Sequence, residues 1–120
     1  MLGEPTAKQL VEAAASFLEK VAAPQLEGHA AFHARVATNV LAIVARELEL
    51  GPAAAKAETE RLAKLLGSEG DLDAMRRALS AKLTAGEMDI STPGLAEHLL
   101  ATVVDRVRIE QPGYGSMKRV

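Results

Sequence analysis

Residues 29–51, HAAFHARVATNVLAIVARELELG, decide the fold of this chain. Apolar side chains recur at helical spacing through the whole stretch and cover most of the circumference of a helix, which is typical of the central element of a helical bundle. One narrow polar seam interrupts them, because Arg35, Asn39 and Arg46 fall within a sector of roughly 40°. The Gly51-Pro52 pair is a common stop signal and predicts the end of this helix.

Four more helices are predicted around the central one. The first runs from about Thr6 to Ala22, begins with the capping-box pair Thr6 and Gln9, and ends before Pro24. The other three are about Ala53–Leu66, then Leu72–Ala85 after its cap Asp71, and a last helix that Thr92 caps, Pro93 opens and Glu110 ends. No strand pattern of period two is present. We therefore expect an all-α, single-domain bundle of about five helices over residues 1–120, with residues 1–5 and 113–120 flexible.

The composition excludes several classes of function. The 120 residues carry a net charge of −2, so the basic surface of a nucleic-acid-binding protein is absent. The longest nearly apolar run, residues 36–45, is interrupted by Asn39 and is too short to span a bilayer. The chain has no cysteine, which fits a reducing compartment, and we expect a cytoplasmic protein. No phosphate-binding loop or nucleophile elbow is present, and no cofactor is predicted.

The polar seam on the central helix has two interpretations. Arg35 and Arg46 would clamp a carboxylate or phosphate with their planar guanidinium groups, while Asn39 orients the ligand. Alternatively, the two arginines pair with carboxylates of neighbouring helices, such as Glu97 or Asp105, and the seam is structural.

Two histidines at the start of the central helix form a weaker candidate site. His29 and His33 are four residues apart, so they share a face and would grip one metal ion. Glu47 projects in the same direction but lies about 27 Å along the helix, too far to be a third ligand. His98 would complete the site only if the fold brings it close. The alternative is that both histidines are ordinary polar residues near a helix start.

The segment 26–51 resembles the signature of a family of small bacterial proteins of unknown function. The resemblance continues in residues 5–12, 95–102 and 111–114. Members of that family are encoded beside aminoglycoside-phosphotransferase-like kinases and acyl-CoA dehydrogenases, which implies an accessory role in acyl-CoA or hydroxyacyl catabolism. The family pattern that is intact in this chain marks the candidate site, which consists of Phe32, His33, Arg35, Asn39, Arg46 and Glu47.

Three functional hypotheses follow from these observations. The first is a non-catalytic accessory protein that binds a kinase-like or acyl-CoA dehydrogenase-like partner. The second is a small-molecule binding module in which Arg35, Asn39 and Arg46 hold an anionic group such as an acyl-CoA phosphate. The third is a metal-assisted enzyme that uses His29 and His33. Separately, the alanine-rich third helix predicts a close-packed interface between two copies of the chain.

Overall fold

The helix that contains residues 29–51 is much longer than the stop signal predicts. In the computed structural model, which describes residues 3–113, the chain forms α1 (Ala7–Phe17), α2 (Gly28–Leu66), α3 (Leu72–Ala85) and α4 (Leu95–Glu110). No strand occurs among these residues. The all-α class is confirmed, but the number of about five helices is wrong, because the second and third predicted helices are one.

The continuity of α2 through Gly51-Pro52 has a local physical reason. Proline lacks an N–H, so Pro52 removes one hydrogen bond from the ladder, and its ring crowds the residue before it. That residue is Gly51, which has no Cβ to meet the ring and does not take the positive φ of a helix-ending glycine. The side chain of Glu47 occupies the vacant volume, since a Cβ on Gly51 would lie 3.0 Å from its Oε2 atom.

The first helix begins where the capping box predicts it, but its α-helical part ends at Phe17, before the predicted end at about Ala22. The Thr6 hydroxyl accepts a bond from the Gln9 N–H at 3.1 Å, and the Gln9 side chain accepts one from the Thr6 N–H at 2.8 Å. After Phe17 the chain continues as a π-helical turn, Leu18–Ala22, and a 3₁₀ turn, Ala23–Gln25. Pro24 therefore tightens the helical path without ending it at Ala22, since proline is tolerated in a first helical turn.

The chain divides into two compact units, the first ending at Gly51 and the second beginning at Pro52. In the first unit α1 lies against the first half of α2, and Lys8 forms an ion pair of 3.3 Å with Glu49. The buried apolar residues of α2 in this unit are Ala34 and Ala45. Two helices in contact through small residues bury little apolar surface.

The second unit has the hydrophobic core of the described chain. Leu62 from the second half of α2 packs with Met75 and Leu79 of α3 and with Leu95 of α4. Partly buried residues surround this cluster: Leu65, Leu66, Leu72 and Met88. Not every apolar residue of α3 and α4 contributes to this core, since Leu83, Leu99, Leu100 and Val103 are exposed.

The predicted N-terminal cap is confirmed for α3 but not for α4. Asp71 caps α3 as predicted, with its carboxylate accepting a bond of 3.2 Å from the Ala74 N–H. The prediction that Thr92 caps the last helix and Pro93 opens it is wrong. Pro93 and Gly94 instead form a turn closed by the Leu95 N–H and the Thr92 carbonyl at 3.1 Å, and Gly94 has the positive φ that this turn needs.

No helix in residues 3–113 combines the length and the apolar character needed to cross a membrane. The predicted flexibility of residues 1–5 and 113–120 falls mostly outside the described range. A single domain over residues 1–120 stays a prediction, since α2 belongs to both units.

Candidate functional site

The three residues of the polar seam differ in their exposure. Arg35 and Asn39 are exposed, and only Arg46 is partly buried. Arg46 lines a groove of about 300 Å³ within the first unit, together with charged residues of both signs: Lys8, Glu12, Glu19, Lys20 and Glu49. An anion entering this groove would meet carboxylates as well as cations, which weakens the case for an anion clamp here.

The predicted pairing of the seam with α4 would join the two units, since Arg35 and Arg46 lie in the first and α4 in the second. Within the second unit, Asp105 pairs with Arg108 of its own helix at 4.0 Å, and Glu97 borders a groove. Both interpretations of the seam, as paired charges and as a binding site, stay predictions.

The side of α2 expected to be covered by a bundle carries a row of exposed apolar residues. The row follows the i, i+4 spacing, and we call it the apolar row: Phe32, Val36, Val40, Val44 and Leu48. Three large apolar residues before α2 are also exposed: Leu10 and Phe17 of α1, and Val21 of the π-helical turn. Within the first unit, this half of α2 is thus not the central helix of a bundle that the sequence predicts, because the unit has only two helices.

The remaining candidates, His29, His33 and Glu47, are exposed on the same half of α2. The ring of His33 lies edge-on to Phe32, with centroids 5.5 Å apart. In the described part of the chain, no group of three or more His, Asp or Glu residues is placed to hold a metal ion. The structure thus supplies no third ligand for His29 and His33 from residues 3–113.

A buried polar network in the second unit was not found by reasoning from the sequence. His98 of α4 is 3% exposed, and its Nδ1 atom accepts a hydrogen bond of 3.0 Å from the Nε–H of Arg61 on α2. The Arg61 Nη2 group also donates to the Thr102 hydroxyl at 3.1 Å, and that hydroxyl donates to the His98 carbonyl. Arg61 thereby ties α2 to α4.

A second ion pair ties α2 to α3 in the same unit. Glu58 is 7% exposed, and both its oxygens accept bonds from Arg76, at 2.8 Å from Nε and 2.6 Å from Nη2. This bidentate hydrogen bonding lowers the pKa of Glu58 below its ordinary value, against the opposing effect of burial. Glu58 is therefore ionised inside the unit at neutral pH.

The chemistry of His98 follows from its surroundings. Burial, followed by the nearby charge of Arg61, lowers the pKa of His98 below its ordinary value of 6.5, although Glu58 acts in the other direction. The ring is therefore neutral at physiological pH. Because Nδ1 accepts a hydrogen bond, the ring proton is on Nε2.

The Nε2–H group of His98 reaches solvent. Every fully buried side-chain nitrogen or oxygen in the described chain has a hydrogen-bond partner. Because the Nε2 atom has none, it is not fully buried. His98 lines a groove of about 420 Å³ with Arg61, Lys64, Leu65, Thr92, Pro93, Gly94 and Glu97. The groove is thus lined by a neutral imidazole, two cations and one carboxylate.

Some of this network leaves a trace in the sequence. Glu58 and Arg61 are three residues apart, and His98 and Thr102 are four apart, so each pair shares a helix face. The contacts that join the helices connect residues 18, 37 and 41 positions apart, which no local spacing reveals.

Comparison with known proteins gives one match. A protein-family model described as a domain of unknown function, DUF6285, matches residues 24–114, which is most of the chain. No curated protein and no solved structure matches. The matched segment begins in the 3₁₀ turn before α2 and includes α2, α3 and α4.

Proposed function

The chain belongs to the DUF6285 family, a domain of unknown function, and we propose that it is a non-catalytic accessory protein that binds another protein. The observation that carries this proposal is that α4 is apolar on two faces. Leu95 and Ile109 are buried in the second unit, whereas a second set is exposed at the spacing of one helix face: Ala96, Leu99, Leu100 and Val103.

The spacing of the exposed set is the spacing by which a helix docks on a partner. Residues at i, i+3, i+4 and i+7 form one continuous stripe, and such stripes supply the anchors of helix-in-groove recognition. Covering three half-exposed Leu and Val side chains contributes about 3 kcal/mol. We therefore expect a reversible complex rather than an obligate one.

The partner class comes from the family resemblance of the central sequence. We propose an aminoglycoside-phosphotransferase-like kinase or an acyl-CoA dehydrogenase-like enzyme as the protein that the exposed face of α4 contacts. The absence of a recognisable catalytic motif in the sequence supports an accessory role.

Co-purification tests the proposal. The tagged chain is expressed with each enzyme and captured, and the untagged enzyme is measured in the eluate. Leu100→Asp is expected to abolish capture, because it places a carboxylate in the centre of the exposed face of α4. Val40→Asp, on the apolar row of α2, is the matched control and should capture as much enzyme as the wild type. Failure to capture either enzyme at micromolar concentration would reject the proposed partners.

Small-anion binding at the Arg61–His98 groove is a second candidate function, favoured by one observation. Arg61, Lys64 and His98 line a groove beside the start of α4, where no side chain caps the helix, and uncapped helix N–H groups attract anions. Leu65 and Pro93 give the groove an apolar wall that suits an aliphatic carboxylate or a phosphate ester.

Calorimetric titration with coenzyme A esters and with inorganic phosphate tests this candidate. Lys64→Met removes one cation that takes no part in the network around His98, and we expect it to weaken binding about fivefold or more. Arg35→Ala in the same titration tests the polar seam predicted from the sequence. If neither ligand releases heat with the wild-type protein at millimolar concentration, anion binding at both places is rejected.

A further inference from the structure

From the apolar row of α2 we infer that the first unit pairs with the first unit of a second copy of this chain, about a two-fold axis at Val40. The row is exposed in the single chain, with Val40 half-exposed at 51%. This inference concerns a different surface from the proposed docking face of α4.

Most of the exposed apolar residues of the first unit project away from its charged groove, and Phe32 is the exception because it lies about 40° from Arg46 around the axis of α2. On α2, Arg46 and Glu49 project about 120–180° away from Val40 and Val44 around the helix axis. On α1, Lys8 and Glu12 project about 140–180° away from Leu10 and Phe17. The charged residues line the groove described above, so the opposite side of the helix pair is the apolar one.

The exposed apolar area matches the requirement of a dimer. The apolar row and Leu10, Phe17 and Val21 are eight large side chains, each roughly half exposed. A Val, Leu or Phe side chain has roughly 100–200 Å² of apolar surface, so the eight present on the order of 600 Å² per copy, at the upper end of the largest apolar patch on a typical monomer. Two copies that cover this surface bury about 1,200 Å² in all, which is the lower end of stable specific interfaces.

The order of residues along the row makes it complementary to itself. In an antiparallel pair of helices crossing at Val40, residues equally distant from Val40 in sequence face each other. Val36 then meets Val44, since each lies about 40° from Val40 around the helix, whereas Phe32 and Leu48 lie about 80° to either side and flank the contact. Apolar side chains therefore oppose apolar side chains at the centre of the row.

The charges at the ends of the row fit the same arrangement. His33 and Glu47 each lie seven residues from Val40, on the same strip of the helix surface as Val40. They are about 21 Å apart within one chain, too far to pair. Across the two-fold axis each His33 meets the other copy's Glu47, so both ends of the interface carry a His–Glu contact.

Two paired helix hairpins make a four-helix bundle, the simplest architecture that covers the apolar side of each. The small residues between α1 and α2 within one unit leave the larger side chains for this second layer. The sequence predicts an interface between copies at the alanine-rich segment 53–66. The interface inferred from the structure lies instead on the first half of α2.

Light scattering coupled to size exclusion tests the inference. The wild type is expected to have twice the 12.7 kDa mass of one chain at micromolar concentration. Val40→Asp places two carboxylates against each other at the axis and should give the mass of one chain, with its helical circular dichroism retained. Val103→Asp changes an equally exposed valine on α4, at 58%, and should remain dimeric. A wild-type mass of one chain, or a dimeric Val40→Asp variant, overturns the inference.

A charge exchange tests the register of the two α2 helices independently of nonspecific association. His33→Glu makes two like-charged contacts and is expected to weaken self-association about tenfold. The double variant His33→Glu/Glu47→Lys restores an opposite-charge contact at each end only between copies, and should recover the wild-type affinity. If the double variant dimerises no better than His33→Glu, the axis at Val40 is wrong.

Discussion

At the scale of single residues, the second unit holds a charged group where water hardly reaches. Glu58 remains ionised because Arg76 approaches it with two parallel N–H groups, which compensate for lost hydration. Arg76 itself is half-exposed and also lies 3.6 Å from Asp73. Arg76 looks in the sequence like surface charge beside Arg77, and only the fold distinguishes the two arginines.

Removing Arg76 should therefore destabilise the protein much more than removing Arg77. Arg76→Ala leaves the Glu58 carboxylate buried without its partner, and we expect a loss of about 1–3 kcal/mol in unfolding free energy, reduced by the access of water to this pair. Arg77→Ala is the matched control and should change stability by less than about 0.5 kcal/mol. Urea unfolding of both variants measures the difference. Equal losses would show that the Glu58–Arg76 pair contributes nothing specific.

The stability of the fold should also depend on the protonation of His98. Its pKa is lowered in the native state by burial and by Arg61, so the unfolded chain takes up the proton more readily. The contribution of His98 to the unfolding free energy is therefore fully present above its ordinary pKa of 6.5. It is lost as the pH falls below that value and through the native pKa. Glu58, whose pKa is also lowered, adds a further loss only below its ordinary value of 4.5.

A comparison of unfolding free energies at about pH 7 and about pH 5 measures the contribution of His98. The wild type should be less stable at the lower pH. His98→Gln keeps a neutral oxygen acceptor for Arg61 and does not titrate, so its stability should fall less over the same interval. A decrease as large in His98→Gln as in the wild type would contradict the assignment.

At the scale of elements, α2 shows how a local signal is overridden. Gly51-Pro52 predicts a stop, yet the helix continues because the residue before the proline is a glycine that tolerates the crowding. The cost of the missing hydrogen bond is still present at Pro52. Pro93, by contrast, occupies a turn position for which the fixed φ of proline is suited.

Replacing the two prolines should thus have opposite effects. Pro52→Ala restores an N–H to the ladder of α2 and is expected to stabilise the protein by about 1–3 kcal/mol. Pro93→Ala raises the conformational entropy of the unfolded chain and adds no hydrogen bond in the turn. It should therefore destabilise the protein by about 0.4–1 kcal/mol. Chemical denaturation of the two variants beside the wild type measures both. A Pro52→Ala variant less stable than the wild type would contradict this expectation.

At the scale of the whole molecule, stability should depend on protein concentration. If two copies cover each other's apolar row, mass action stabilises the native state, and the thermal midpoint rises as the protein is concentrated. The midpoint of Val40→Asp should stay constant over the same range, and that of Val103→Asp should follow the wild type. A midpoint independent of concentration in the wild type would contradict a native dimer.

The sequence by itself determined the features that depend on residues within one helical turn. The capping box at Thr6, the cap at Asp71, the bounds of α3 and the all-α class all rest on such short spacings. The likeness of residues 26–51 to an uncharacterised family was likewise readable without a structure, and the family match confirms it.

The tertiary structure alone decided which side chains are buried and with what they pair. Arg61 meets His98 across 37 residues, and Arg76 meets Glu58 across 18, so neither contact has a local signature. The apolar row looks in sequence like the face of a buried helix. It is exposed because burial depends on how many other helices surround a face, and in the first unit only α1 packs against α2.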